Sequence, residues 1–316
     1  MTPLKIAVVG AGVMGTNHAR VARSLPGVQV THVVDPDPER AARAAAVAGA
    51  EPLADVGEIV GEVDAAIVAS PSSMHEEHGL ALLAAGVHVL VEKPVATTVE
   101  QAERLIAAAD AAGMVLQVGH VERFNPAVLE LDRMQGDVVH VEASRIGPYS
   151  NRVEVGVVLD LMIHDLDIVL ALAGGEPSRV LATAQRTRSG TEDLVSALIE
   201  FDNGVTAALT ASRIGQNKIR NLALTREKDY VNVDLLRQDV TVHRVDHSEY
   251  LSDEGTRYRQ TGVVELPFLE HRGEPLFLEL SHFVDCVRTG TTPRVTGRDG
   301  ARALELAMRV RAAAGL

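Results

Sequence analysis

Four groups of residues in this chain have types and spacings that could do chemistry. Gly10-Ala11-Gly12-Val13-Met14-Gly15 is a GxGxxG run that follows the apolar stretch Ile6-Ala7-Val8-Val9 and opens a helical pattern. In that setting the first glycine makes a tight turn and the second lets backbone approach a pyrophosphate. The third lets helix and strand pack closely, with Val13 and Met14 in the first turn of the helix whose N-terminus faces the diphosphate. Asp35, at the end of the next strand-like run, is placed to accept hydrogen bonds from an adenosine ribose. Its charge would repel a 2′-phosphate, which favours NAD over NADP; Arg40 nearby is the one opposing feature. The loop lacks the Lys-Ser/Thr ending of a nucleotide triphosphatase.

The second and third groups lie just beyond strand-like runs, on the edge where an open α/β sheet binds its ligands. They are Ser70-Pro71-Ser72-Ser73-Met74-His75, after Ala65 to Ala69, and Glu92-Lys93-Pro94, after Val87 to Val91. The fourth is Asp160 and His164, four residues apart and therefore on one face of a helix. An imidazole that titrates near neutral pH can take a hydroxyl proton, and an ammonium such as Lys93 can stabilise the alkoxide that develops. Of the neighbouring acids, Asp165 reads as adjacent to the site and Asp167 as structural or facing solvent. No pair has HExxH-like spacing and a metal is not expected.

Two kinds of element must position these groups. Up to about residue 119, short runs apolar on both faces alternate with helical patterns: strands at Ile6–Val9, Val28–Val34, Ala65–Ala69, Val87–Val91 and Val115–Val118. Helices are expected at Val13–Leu25, Pro38–Gly49, Glu76–Ala85 and Val99–Ala112, which makes a doubly wound parallel sheet. Beyond it the rhythm changes to a helix near Asn125–Met134, a strand Val138–Ile146 and a helix Val157–Ala173. Six closely spaced strands follow between Val180 and Val245, with turns such as Asp202-Asn203-Gly204. The expected second domain is an open, largely antiparallel sheet with helices on one face. Its other face needs a cover, and a second copy of the chain is the expected one, as a homodimer or homotetramer. Helices at Pro275–Arg288 and Gly300–Ala314 close the chain. The division expected is 1–122 for the dinucleotide domain and 123–316 for substrate binding and oligomerisation.

Composition narrows the class further. The 316 residues are 46% hydrophobic and 23% charged, enough for a sizeable core, and 30 basic against 43 acidic residues give a net charge of −13. Such a surface repels nucleic acid and anionic lipid. The single Cys286 allows no internal disulfide and fits a reducing cytoplasm, and neither a signal peptide nor a membrane span is expected.

The order and spacing of GxGxxG, Ser-Pro-x-x-x-His, Glu92-Lys93-Pro94 and Asp160-x-x-x-His164 resemble the Gfo/Idh/MocA oxidoreductases over essentially the whole chain. The resemblance implies a Rossmann domain followed by an open-faced sheet, and NAD(P)-dependent oxidation or reduction at a carbinol or carbonyl of a sugar or polyol. It places Lys93 between nicotinamide and substrate hydroxyl, His164 as acid/base and Asp160 beside it. Gly10, Gly12, Val13, Met14, Gly15, Asp35, Ser70, Pro71, His75, Glu92 and Lys93 become the cofactor-side residues. The stretch Arg123-Phe124-Asn125-Pro126 together with Met162-Ile163-His164-Asp165 resembles the UDP-N-acetylglucosamine 3-dehydrogenase branch of the family. In that reading Arg123 or Arg145 clamps a diphosphate, and Asn125, Tyr149 and His164 also face substrate. Oxidation of a nucleotide sugar at C3 is the resulting expectation. Inositol or another free polyol is the alternative substrate, a non-catalytic NAD- or sugar-sensing protein the alternative of another class, and reduction of an imine or ring double bond a third reading.

Overall fold

A computed structural model describes residues 2–316 apart from 135, 150–154, 246, 247, 252–254, 256 and 261. The chain forms two compact units, Met1–Phe124 with Gly273–Glu305 and Asn125–Arg272 with Leu306–Leu316.

The first unit alternates β1 (Leu4–Val9), α1 (Val13–Ala22), β2 (Val28–Val34), α2 (Pro38–Ala48), β3 (Glu51–Leu53) and β4 (Ala65–Val68). It continues with α3 (His75–Ala84), β5 (His88–Glu92), α4 (Val99–Ala112) and β6 (Leu116–Gly119). The strands lie in the order β3-β2-β1-β4-β5-β6, all parallel, so the order reverses between β1 and β4. Both faces of this sheet are covered: Ile6 to Val9 and Ala65 to Val68 are at most 2% exposed. The helices start where the sequence supplies caps. Asp37 accepts from the Glu39 and Arg40 amides ahead of Pro38, and Thr98 and Gln101 form a capping box at α4.

The second unit holds α5 (Pro126–Leu131), β7 (Val138–Ile146), and a π-helical turn (Val158–Met162) that runs into α6 (Ile163–Ala173). Then come β8 (Pro177–Gln185), β9 (Leu194–Phe201), β10 (Thr206–Ser212), β11 (Ile219–Arg226), β12 (Asp229–Asp234) and β13 (Asp239–Arg244). β14 (Ser248–Leu251) pairs with β15 (Arg257–Gln260), and β16 (Val263–Glu265) closes the large sheet as an edge strand. Its order is β16-β13-β12-β11-β7-β10-β9-β8. Pairing is antiparallel except between β7 and β10, which run parallel, so the sheet is largely antiparallel as expected. The cause of the parallel pair is the α6 crossover and the β8–β9 hairpin, which bring β10 back beside β7 in the same direction. One face of the sheet, including Val141, Val195, Ala207 and Leu222, is buried, and α6 packs on β7 and β10. On the opposite face Leu181, Leu198, Ile219 and Tyr230 are each at least 39% exposed.

The chain ends in α7 (Pro275–Thr289) and α8 (Gly297–Ala313). Residues 273–305 return to the first unit, which a simple division at 122/123 does not anticipate. The reason is the apolar stripe of α7: Leu276, Leu280, Phe283 and Val284 join Ile6, Val8, Val30 and Ile67 in one core. Gly297 and Gly300 let α8 lie close on β6, since a Cβ there would meet the Leu116 and Val118 side chains within 3 Å. Among the described residues no helix is long and apolar enough to cross a membrane.

One side chain of this core is chemically out of place. Glu279 of α7 is 0% exposed, and neither carboxylate oxygen has a hydrogen-bond partner among the described residues. Burial, and secondarily the Glu92 charge, push its pKa well above 4.5. A carboxyl raised in this way contributes stability that is fully present below its unfolded pKa and is lost as pH rises toward the folded value. Glu279→Gln cannot ionise. It is expected to melt a few degrees above wild type at pH 8 and level with it near pH 4 by scanning calorimetry; an unchanged difference at the two pH values contradicts this.

Candidate active site

The nucleotide half of the site grows out of the reversal point between β1 and β4. Gly10, at φ +97°, donates its amide to the Val34 carbonyl at 2.7 Å. A Cβ on Gly10 would lie 2.6 Å from the backbone of Ala69 and Ser70, and one on Gly15 would lie 1.7 Å from the Gly10 carbonyl oxygen. A Cβ on Gly12, by contrast, meets nothing within 4 Å. Two of the three glycines are therefore demanded by the protein's own packing, and the second borders open space at the N-terminus of α1. Val13 and Met14 are 68% and 37% exposed beside it. Asp35 faces the loop: one carboxylate oxygen accepts from the Ala11 amide at 2.7 Å and the other from the Asp37 amide at 2.9 Å. Arg40 pairs with Asp37, its Nε 3.2 Å from the carboxylate. An open helix N-terminus, a bare glycine and a carboxylate at the end of β2 fit a dinucleotide.

The Lys93 turn is held from two sides. Glu92, 6% exposed, sits 2.7 Å from His18 Nε2 of α1 with one oxygen and accepts the Lys93 amide at 3.1 Å with the other. Burial alone would raise the Glu92 carboxyl, but the His18 hydrogen bond and charge, with Lys93, outweigh it and hold it below the ordinary range. On the other side His75, 1% exposed, has Nδ1 2.9 Å from the Pro94 carbonyl and Nε2 2.9 Å from the Ser70 carbonyl. A neutral ring can donate to one of these at a time; burial pushes its pKa down, opposed by both carbonyls. The Lys93–Pro94 bond between these anchors is cis. Ser70 places its hydroxyl 3.0 Å from His78 Nδ1, and Pro71 begins the short 3-10 turn that leads into α3.

Glu92 and His75 thus have polar atoms engaged inside the protein, where they support the turns that carry Lys93 and Ser70. His18 was not expected at all. Its signal in the sequence is a histidine flanked by Ala19, Val21 and Ala22 on the buried face of the helix that follows the glycines. Lys93 itself is half-buried.

In the second unit Asp160 lies in the π-helical turn and His164 in the first turn of α6. Such one-turn widenings recur at functional sites. Asp160 is exposed and His164 half-buried, with the His164 Nδ1 atom sealed from solvent. The turn is fixed by Glu192, 3% exposed, whose backbone oxygen takes the Val157 amide and whose carboxylate takes the Val158 amide. Arg213, 5% exposed, donates to the Val155 carbonyl at 2.7 Å and stands 3.9 Å from the Asp160 carboxylate.

Arg145 and Asn125, both expected at the substrate, have side-chain polar atoms engaged within the protein. Arg145 and Asp165 are both 3% exposed and form a bidentate ion pair, with Nη2 to Oδ1 at 2.7 Å and Nε within 3.1 Å of both oxygens. A guanidinium so engaged ties β7 to α6. Asp167 is also buried, at 2%. Asn125, 2% exposed, caps α5 through the Ala127 amide and donates to the Leu235 carbonyl at 2.9 Å. Arg123, in the first unit, is half-buried and its carbonyl accepts from Arg294. Tyr149 is half-buried with the Arg188 guanidinium 5.7 Å from its ring centre.

The fold and the glycine loop with Asp35 define an oxidoreductase with an NAD-binding Rossmann domain. The chain belongs to the Gfo/Idh/MocA family: residues 4–120 match the oxidoreductase family with NAD-binding Rossmann fold, and residues 127–225 match the GFO/IDH/MocA C-terminal domain. It is 31% identical to the UDP-N-acetylglucosamine 3-dehydrogenase of Acidithiobacillus ferrooxidans, over 99% of this chain and 98% of that one. A solved structure of that enzyme superposes with a TM-score of 0.89 at 30% identity, covering 99% and 98% of the two chains. The scyllo-inositol 2-dehydrogenase (NAD(+)) of Bacillus subtilis is 28% identical over 96% of this chain and 92% of its own.

Proposed function

We propose that this protein is an NAD-dependent dehydrogenase that oxidises a secondary hydroxyl of a sugar, the C3 hydroxyl of a UDP-N-acetylglucosamine-type nucleotide sugar. The observation that carries the substrate is likeness along the full length to a UDP-N-acetylglucosamine 3-dehydrogenase, at 31% identity. The scyllo-inositol dehydrogenase relative supports a free polyol as the second reading.

In this reading the Gly10–Gly15 loop and the first amides of α1 hold the diphosphate of NAD, and Asp35 takes the ribose hydroxyls. When bound, NAD supplies the hydride acceptor. Lys93 donates a hydrogen bond to the substrate hydroxyl oxygen and stabilises the negative charge that grows there as the C–H bond breaks. His164 takes the hydroxyl proton. Its Nδ1 is sealed from solvent, which leaves Nε2 as the receiving atom. Asp160 favours the resulting imidazolium, and Arg213 keeps that carboxylate in place. Carbinol C–H, hydroxyl proton and cofactor then balance as ketone, NADH and one proton on His164.

The test is NADH formation at 340 nm with UDP-N-acetylglucosamine and inositols in parallel, for wild type and Lys93→Met. Turnover of the nucleotide sugar alone, with kcat lowered on the order of 10²–10³-fold in the variant and NAD binding retained, supports the assignment. Turnover of inositol alone moves the substrate to the polyol reading. Wild-type turnover unchanged by Lys93→Met overturns the role of Lys93.

A second copy of the chain covers the outer face of the large sheet in this reading, because Leu181, Leu198, Ile219 and Tyr230 expose apolar surface there. Light scattering is expected to give a dimer or tetramer that Leu198→Arg dissociates. A wild-type monomer at micromolar concentration contradicts it.

A further inference from the structure

With Arg145 committed to Asp165, the anionic part of a phosphorylated sugar needs other cations, and the register of the large sheet shows where they gather. Ile146 of β7 pairs with Ser212 and Ile219, Ser212 pairs with Leu194, and Leu194 with Gln185. The segments beyond these residues therefore share one end of the sheet. They are Gly147 to Tyr149, the 186–193 turn, Arg213, and Lys218 just before β11. The helical turn with Asp160 starts there too, because Glu192 of the same 186–193 turn binds the amides of Val157 and Val158.

Within a chain of net charge −13, the exposed cations described at this end, Arg186, Arg188 and Lys218, face one exposed carboxylate, Asp160, while Glu192 and Asp193 are buried. The turn that carries Arg188 is not a loose loop. Asp193, 0% exposed, accepts the amides of Thr187, Arg188 and Ser189 with one oxygen, at 2.8, 2.7 and 3.1 Å, and the Ser189 hydroxyl with the other at 2.6 Å. The Asp193 carbonyl in turn accepts from the amide of Arg213, the residue 3.9 Å from Asp160. The Arg188 guanidinium stands 5.7 Å from the centre of the Tyr149 ring, and among the described residues it has no carboxylate partner. Stacking on a ring leaves the in-plane N–H fork of an arginine open, which is the geometry that grips two oxygens of a phosphoryl group at once. A buried aspartate that fixes three successive amides, an arginine held over an aromatic face, and a direct chain of contacts to Asp160 are three separate observations at one place.

We propose that this end of the sheet is a phosphoryl-binding subsite, with Arg188 as its main ligand, Tyr149 as the face that steadies the guanidinium, and Lys218 and Arg186 as flanking cations. The inference rests on the reading of Asp160 and His164 as the substrate end of the second unit. It assigns the substrate class by chemistry: a sugar that carries a phosphate or diphosphate. Arg188→Lys keeps the charge and loses the fork, so it lies between wild type and Arg188→Ala.

The experiment is titration calorimetry on the full chain with UDP, N-acetylglucosamine 1-phosphate and inorganic diphosphate, for wild type, Arg188→Ala and Arg188→Lys. Arg179→Ala, an exposed arginine toward the other end of β8, is the charge control. Expected is binding of UDP to wild type that weakens at least tenfold in Arg188→Ala, weakens less in Arg188→Lys, and is unchanged in Arg179→Ala. Wild-type binding is also expected to fall with added salt, and NAD affinity to be equal in all four proteins. The arm that binds tightest tells a nucleoside diphosphate from a sugar phosphate. Equal UDP affinity in wild type and Arg188→Ala, or no binding of any of the three probes to wild type, overturns the subsite. Turnover is scored separately: oxidation of UDP-N-acetylglucosamine with the same KM in Arg188→Ala rejects Arg188 and keeps the dehydrogenase reading. UDP binding that depends on Arg188 without turnover of any sugar keeps the subsite and rejects that reading.

Discussion

The carboxylate of Glu92 is the point on which the first unit's chemistry turns. It is buried at the end of β5, and each oxygen is committed: one to His18 on the helix that starts at the glycine loop, the other to the amide of Lys93. A buried carboxylate is costly unless it is both paired and hydrogen-bonded, and this one is both. The result is a mechanical link. The helix whose N-terminus suits a dinucleotide and the turn that carries the lysine share one buried anion, so neither can move without disturbing the other. His75 closes the same turn from the α3 side through the carbonyls of Ser70 and Pro94.

The surroundings of that anion explain why so much polar chemistry survives in a core. Burial, and after it the nearby Glu92 charge, push the Glu279 carboxyl above the ordinary range, and Gln117 donates to the Glu279 backbone carbonyl at 3.4 Å. In the second unit the same rule works through Arg145 and Asp165, which join β7 to α6 and so fix the helix that presents His164. Buried charge here sets geometry more than it adds stability; replacing such pairs by apolar residues is often neutral for folding.

Most of the fold was legible in the sequence because its physics is periodic. Strand alternation, buried apolar runs and the 3.6-residue helical period each leave a mark, and Val28–Val34, Val99–Ala112 and Val138–Ile146 appear at the boundaries expected. β3 was not legible, being three residues with a proline, and neither was β16, whose three residues bury no apolar face. The parallel pairing of β7 with β10 was hidden because alternation reveals a strand's faces and says nothing of its neighbour. Of the site, the glycines and Asp35 carry their own spacing rule. The pairing of Arg145 with Asp165 was not legible because the two are twenty residues apart, although an aspartate inside the apolar run Ile163 to Ala173 signals a buried pair. Asn125 ahead of Pro126 carries the signature of a helix cap and needed no ligand to explain it.

The link through Glu92 is tested most directly by a double-mutant cycle of His18→Asn and Glu92→Gln, read as NAD affinity and kcat. If one buried anion joins α1 to the Lys93 turn, each single variant loses both quantities and the double variant loses far less than the product of the two effects. Losses that multiply independently would show that His18 and Glu92 act separately and that the nucleotide helix does not hold the lysine in place.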